Sequence, residues 1–263
     1  MAHQLLIERV TKDFPARGDG AAVRALDGID LEVRAGEFVS LLGPSGCGKS
    51  TLLNVVAGFQ RPSGGRVLHE GVPVTGPDRR RTVVFQDYAL FPWMTVQQNV
   101  EFGLKAQGTP AARRAEIAHE FLALVQLHGF EQRYPHEISG GMKQRAALAR
   151  ALAPNPDMLL MDEPFGALDA QTRVLLQEEV ARISAETAKT VLFVTHSIEE
   201  AVFLGDRVVV MSARPGRVRT IFPVPLPRPR TPAVRRKPQF VSLVEDLWES
   251  LKPEWQDRRI DNA

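Results

Sequence analysis

Gly43-Pro-Ser-Gly-Cys-Gly-Lys-Ser-Thr51 meets the pattern G-x-x-x-x-G-K-[ST] at every fixed position. Gly43, Gly46 and Gly48 accept backbone conformations that side chains disfavour, so the N–H groups of the loop, through Ser45 and Cys47 after the turn at Pro44, can face inward onto phosphate oxygens. The pattern predicts that Lys49 reaches the β- and γ-phosphates and that Ser50, next to Thr51, offers its hydroxyl to Mg²⁺. Upstream, Glu37-Phe-Val-Ser-Leu-Leu42 reads as a short buried strand. Downstream, Leu52, Leu53, Val55 and Val56 continue a helix whose positive N-terminal end faces the anion. Strand, glycine turn and helix in that order are the context the motif needs. The stretch therefore predicts an α/β fold that handles a nucleoside triphosphate.

A second chemical stretch, Met158-Leu-Leu-Met-Asp-Glu-Pro164, places two carboxylates at the end of an apolar run of strand length. Taken alone it is a solvated acidic strand end. Beside a phosphate loop it acquires chemistry: Asp162 suits Mg²⁺, held through water, and Glu163 suits the orientation of a water for attack on the γ-phosphorus.

The surrounding chain supplies more of the same architecture. Leu5 to Val10, Ile29 to Val33, Val67 to Val74 and Thr82 to Phe85 read as strands. Val96 to Lys105, Ala111 to Leu127, Met142 to Ala153 and Ala170 to Thr187 carry helical spacing. Val191 to Val194 and Arg207 to Met211 are further apolar strands, so a parallel sheet with helical crossovers is the economical arrangement. From Phe222 the composition shifts to Pro and Arg. The stretch to Pro238 reads as an extended basic linker in which Arg228, Arg230, Arg235, Arg236 and Lys237 keep the chain solvated. A last helix follows, with Phe240, Leu243, Val244, Leu247, Trp248 and Leu251 on one face. Two readings of that helix stand: docking on its own domain, or contact with a partner or anionic lipid headgroups.

With 263 residues the chain can bury a full core, and a net charge of +2 gives no reason to expect a nucleic-acid surface. One cysteine excludes an internal disulfide framework and fits a reducing cytoplasm. Cys47 is either a small residue that fits the loop or a thiol whose pKa is lowered by Lys49 and the helix end. The opening residues lack the basic and apolar regions of a secretion signal, and no stretch reaches the ~18 apolar residues of a membrane span, so any membrane role is expected to come through a partner.

Ile138-Ser-Gly-Gly-Met142, followed by Lys-Gln-Arg, resembles the signature of the ABC-type ATPases, usually Leu-Ser-Gly-Gly-Gln. Ser139, Gly140 and Gly141, which the resemblance implies contact the γ-phosphate of ATP held by an opposite subunit, are intact. Met142 replaces a polar residue. Other elements of the family match in order over residues 5 to 218. Gln86 resembles the loop glutamine that senses Mg²⁺ and the attacking water. Leu90, Phe91, Pro92 and Trp93 resemble the surface that receives a short helix from a transmembrane subunit. Gly166 to Asp169 resembles the loop that links two subunits, and His196 the histidine that reaches the γ-phosphate. Phe14 matches the aromatic that stacks on adenine, with a hydrophobic staple of the first sheet as the plainer alternative.

The resemblance implies a P-loop NTPase core with a mostly parallel sheet, an antiparallel β subdomain and a helical subdomain at about 87–157. Residues 1–222 would form the ATPase domain, and 223–263 the linker and C-terminal helix. It implies ATP and Mg²⁺ as cofactors and a homodimer of ATPase subunits docked on integral membrane permease subunits. The assembly would be served by an extracytoplasmic solute-binding protein and would lie at the cytoplasmic face of the bacterial inner membrane. Phrases such as VTGPDRRRTVVFQ and IEEAVFLGDRVVVMSARPGRV are similar to the nitrate, sulfonate and taurine importer branch. A soluble ABC ATPase without a membrane partner is the alternative. Such proteins generally carry two cassettes or an inserted coiled coil, and neither pattern is found in these residues.

Overall fold

A computed structural model describes residues 3–15, 22–213 and 215–260, and every candidate site residue lies within them. The chain divides into two compact units, residues 1–78 with 188–263, and residues 79–187.

The first unit opens with β1 (His3–Phe14), β2 (Val23–Arg34), β3 (Phe38–Leu42), α1 (Lys49–Ala57), β4 (Gly64–His69) and β5 (Val72–Pro73). Four of these strands form an antiparallel sheet in the order β2-β1-β4-β5. Ile29, Leu31 and Val33 face inward while Asp30, Glu32 and Arg34 face out, the period-two pattern of a half-buried strand. The strands run further than their apolar segments. Pairing continues to Phe14 opposite Val23, where the cross-strand partners are Asp13 and Arg24, 2.9 Å apart and exposed. Hydrophobic spacing does not register that polar extension. The segment from Val67 to Val74 is a hairpin rather than one strand, turning at Glu70 and Gly71, both at positive φ.

The second unit contains β6 (Arg81–Val84), α2 (Val96–Ala106), α3 (Ala111–Leu124), α4 (Gly140–Leu152), β7 (Met158–Asp162) and α5 (Ala170–Thr187). β6 and β7 pair in parallel, with Val84 opposite Met161. Thr95 caps α2 reciprocally with Gln98, which fixes where the helical region starts. Val96, Val100 and Leu104 on α2, Ala118 and Leu122 on α3, and Ala146, Ala147 and Ala149 on α4 are buried where the three helices pack. The alanines let the axes approach closely.

The chain then returns to the first unit through β8 (Thr190–Thr195), α6 (Ile198–Leu204), β9 (Arg207–Met211), β10 (Val218–Pro223) and α7 (Pro238–Ile260). β3, buried at all five positions, lies between β8 and β9 and is parallel to both. Its neighbours supply the continuous apolar runs expected of a two-sided sheet. β10 closes the edge as an antiparallel partner of β9.

The reading of residues 223–237 as a solvated basic linker is corrected here. Val224, Leu226, Arg230 and Val234 are buried. Arg228 pairs with Asp206 at 2.8 Å, and the Arg235 guanidinium stacks 4.6 Å above the Phe203 ring. Pro232–Arg236 form a short 3-10 helix, and Arg228, Arg230 and Arg235 find main-chain carbonyls, a carboxylate and an aromatic face instead of water, while Arg236 and Lys237 stay exposed as the sequence reading expected. α7 buries Phe240, Leu247 and Leu251 and packs against α6, so the helix docks on its own unit.

Candidate functional site

Each unit presents one cluster of candidate residues at the carboxyl ends of its parallel strands, the position where α/β sheets place ligands. In the first unit, β3 and β8 stand in register with Leu42 opposite Thr195. The next residues, Gly43 and His196, therefore emerge side by side.

The phosphate loop is held by its own lysine and by the β2 chain packed against it. Lys49 is 4% exposed, and its Nζ donates to the carbonyl oxygens of Gly43 at 2.7 Å and Pro44 at 3.0 Å. Ser45, Gly46 and Ser50 are exposed above it. Gly48 stands at φ 94°, and a Cβ there would lie 2.7 Å from Leu26 Cδ2 and 2.9 Å from the Ala25 carbonyl oxygen. Glycine is thus required at that step both for conformation and for space. Cys47 is fully buried and burial pushes its thiol up, so the reactive-thiolate reading is corrected in favour of a small residue that fits. A buried ammonium beneath exposed loop backbone fits a polyphosphate, and Ser50 stands beside it with a hydroxyl suited to Mg²⁺.

Gly216 is a residue the sequence did not single out. Its N–H donates to the Ala25 carbonyl, its own carbonyl accepts from Asp27 N–H, and a Cβ on it would overlap the Cys47 carbonyl oxygen. The chain after β9 thus braces the phosphate loop from outside. A Pro215-Gly216 turn was the available signal, but its target is distant in sequence.

His196 is exposed at the end of β8, on a turn held by its neighbours. Thr195 Oγ1 donates to Glu200 Oε2 at 2.6 Å and accepts from Ser197 N–H at 3.0 Å. Ser197 Oγ accepts from Glu200 N–H at 3.4 Å and caps α6. Phe14 lies opposite Val23 near the start of β2, whose Ala25 and Leu26 back Gly48, so the aromatic and the phosphate loop share one end of this unit. The Lys12 ammonium sits 5.3 Å from the Phe14 ring centroid.

In the second unit, the register of Val84 with Met161 brings Gln86, Asp162 and Glu163 out at one end. Gln86 Nε2 lies 3.0 Å from where a Gly166 Cβ would be. Glu163 has φ 44°, an uncommon conformation for a residue with a long side chain and one that clusters at functional positions. Its carbonyl accepts from Gly166 N–H, and the turn ends at Asp169, which accepts from the Gln171 and Thr172 amides as α5 begins. Those hydrogen bonds hold the Asp169 carboxyl below its ordinary pKa.

Ser139, exposed, caps α4 by accepting from Met142 N–H at 3.3 Å, with Gly140 and Gly141 in the first turn. The Tyr88 hydroxyl lies 3.2 Å from where a Gly140 Cβ would be, which joins the segment after Gln86 to the start of α4. The far end of that connection is Arg150, another residue not singled out from sequence. It donates to the carbonyls of Ala89 at 2.5 Å and Tyr88 at 3.0 Å, and lies 5.6 Å from the Phe91 ring. Burial pushes its guanidinium pKa down. Phe91, Trp93 and Phe102 form an aromatic group with centroids 4.5 and 5.6 Å apart, and Trp93 is 70% exposed. Among the described residues no helix is long and apolar enough to cross a membrane.

A glycine-turn phosphate loop at the end of a mostly parallel sheet, an antiparallel β part and a helical part define an ATP-binding cassette. The family model described as ABC transporter matches residues 26–166. A taurine import ATP-binding protein of Chromobacterium violaceum is 48% identical over 92% of this chain and 94% of its own length. A nitrate import ATP-binding protein of Synechocystis is 46% identical over 89% of this chain and 91% of its own. The dimeric post-hydrolysis structure of an ATP-binding cassette bound to ADP and Pi superposes with a TM-score of 0.72 at 33% identity, covering 84% of this chain and 98% of that one. The chain belongs to the ABC transporter family and is an ATPase.

Proposed function

We propose that this chain energises an importer for a small anionic or organic solute of the aliphatic sulfonate, taurine or nitrate class. Residues 1–222 form the ATPase domain, with 87–157 as its helical part, and 223–263 are appended to it. Two copies close on ATP, each nucleotide held by Phe14 and the Gly43–Thr51 loop of one copy and by Ser139, Gly140 and Gly141 of the other. Lys49 and His196 neutralise charge on the transferring phosphoryl group, and Glu163 orients the attacking water with Gln86 alongside. Ser50, Asp162 and Gln86 would hold Mg²⁺, which would supply positive charge against that of the phosphates. Because the transition state is loose, positioning and electrostatics carry the catalysis.

Closing and reopening of the pair moves permease subunits docked on the aromatic group around Trp93, at the cytoplasmic face of the bacterial inner membrane. An extracytoplasmic protein delivers the solute to those subunits.

The observation that carries this reading is the register of Leu42 with Thr195, which sets the phosphate loop beside His196. The solute class rests on the relatives, whose taurine and nitrate names occur at nearly equal identity. Growth of a strain lacking the chain, complemented with the native form or Glu163→Gln, tests it on taurine or an alkanesulfonate as sole sulfur source. Failure restored only by the native form, with normal growth on sulfate, is the expected result. Normal growth of every strain on the organosulfur source would exclude a sulfonate importer and move the search to nitrate as sole nitrogen source.

A further inference from the structure

α6 is a seven-residue helix with one candidate catalytic group at its front and two arginines at its back. Its last turn leaves main-chain carbonyls without helical partners, as every helix does. Here the appended segment supplies those partners. Arg230, whose side chain is 1% exposed, donates through Nη1 to Val202 at 3.0 Å, Phe203 at 3.1 Å and Gly205 at 2.6 Å. Its Nη2 turns back to Val224 and Leu226, 3.4 and 3.3 Å away. Arg228 Nη2 takes the Leu204 carbonyl at 2.7 Å, and its Nε takes Asp206 at 2.8 Å. Every carbonyl from Val202 to Gly205 is thus held by an arginine from the segment that sequence read as solvated. α7 covers the same helix, and Arg235 stacks on its Phe203 ring.

Burying a guanidinium is costly unless its donors are satisfied, and a surface helix end could have used water instead. The arrangement therefore fixes α6 rather than merely completing it. The front of α6 is equally determined. Ser197 caps it, Glu200 grips Thr195, and the Ala201 carbonyl accepts from Ser40 Oγ of β3 at 3.1 Å. Between the two ends lies one rigid element about 10 Å long. A shift at its carboxyl end has no soft joint in which to be absorbed before His196.

We propose that Arg230, with Arg228, is a positioning residue for His196: the segment after β10 sets the histidine's place at the phosphate loop by clamping α6 from behind. The inference rests on the assignment of His196 to the γ-phosphate. It makes residues 223–252 a working part of ATP turnover with no contact to nucleotide.

The test uses the full chain. ATP affinity by equilibrium binding and the kcat of Mg-ATP hydrolysis are measured for His196→Ala, Arg230→Gln and the double variant. The expected result is a kcat lowered tenfold or more by Arg230→Gln with the ATP Kd within twofold of native. Adding His196→Ala to Arg230→Gln should then cost at most a further twofold, since both changes act through one group. Multiplicative losses in the double variant, or a Kd that rises as much as kcat falls, would overturn the clamp while leaving His196 in place. A full kcat in His196→Ala would instead remove the histidine's assignment, and the clamp with it.

Should Arg230→Gln fail to fold, Arg228→Gln is the milder lesion, read by amide hydrogen exchange. Protection lost at 197–204 with Gly48–Ala57 unchanged, together with a lowered kcat, supports the proposal. Uniform loss across the unit, or no loss at all, contradicts it.

Discussion

The two helix N-termini proposed to meet phosphate, those of α1 and α4, are built differently. At α1 the capping residue is Gly48 in a left-handed conformation, no side chain caps the helix, and Lys49 is buried and already clamped by two loop carbonyls. At α4 the capping residue is Ser139, exposed, with its hydroxyl bound to the helix's own Met142 amide. The first is a finished cradle whose shape is paid for by close packing around Gly48 and Gly216. The second has its best phosphate ligand engaged in local capping. The difference teaches which end binds first. α1 should hold ATP in a single copy, whereas α4 should contribute only when a second copy brings phosphate to it, a division that places affinity in one motif and rate in the other.

Lys49→Ala breaks the finished cradle. It should lower kcat/KM by roughly 1,000-fold, since a buried cation serves both binding and the charged transition state, with ATP affinity itself down about 100-fold. Unchanged affinity by equilibrium binding would erase the distinction between the two helix ends. Ser139→Gly sharpens it from the other side. Glycine caps a helix nearly as well as serine, so folding should change by only a few tenths of a kcal/mol. Loss of one donor should still cost kcat about 100-fold with single-copy ATP affinity within twofold of native. A parallel loss of affinity would mean that α4 binds from the start.

Met142→Gln restores the polar residue more usual at that position. Because the α4 cap uses the Met142 amide rather than its side chain, kcat should stay within about twofold, measured by steady-state hydrolysis. The smallest effect concerns acid. The Asp169 pKa is lowered by hydrogen bonds from the Thr172 and Gln171 amides, so its contribution to the start of α5 is complete above the unfolded carboxylate value near ~4 and is lost as pH falls through the lower folded value. Asp169→Asn should flatten that part of a thermal-melt profile below about pH 4 and lower the neutral melting temperature slightly, because the carboxylate's contribution is complete there.

Legibility in sequence followed the range of the interactions. The phosphate loop, the strand Phe38–Leu42 and the helix Ala170–Thr187 are coded by neighbours in the chain, and local pattern was enough to find them. Ser139 and His196 were legible only through resemblance, because a serine before two glycines or a histidine after a strand has no meaning without the fold around it. Arg228 and Arg230 were misread. Their partners are main-chain carbonyls of α6, which have no identity in sequence, and a Pro-rich basic stretch is solvated in most settings. β10 escaped for a related reason. Its half-buried Val218, Thr220 and Phe222 alternate with exposed Arg219, Ile221 and Pro223 beside that same stretch, and only pairing with β9 makes it a strand. Gly216 and Arg150 act across more than sixty residues of chain on average, so their roles belong to tertiary structure alone.

Light scattering of purified Glu163→Gln with and without saturating Mg-ATP tests the central claim most directly, because this variant should bind nucleotide without consuming it. The account predicts a shift from the mass of one chain to that of two on adding ATP, lost again when Ser139→Arg obstructs the second helix end. A variant that stays monomeric with ATP bound would contradict the assembly of one site from two copies.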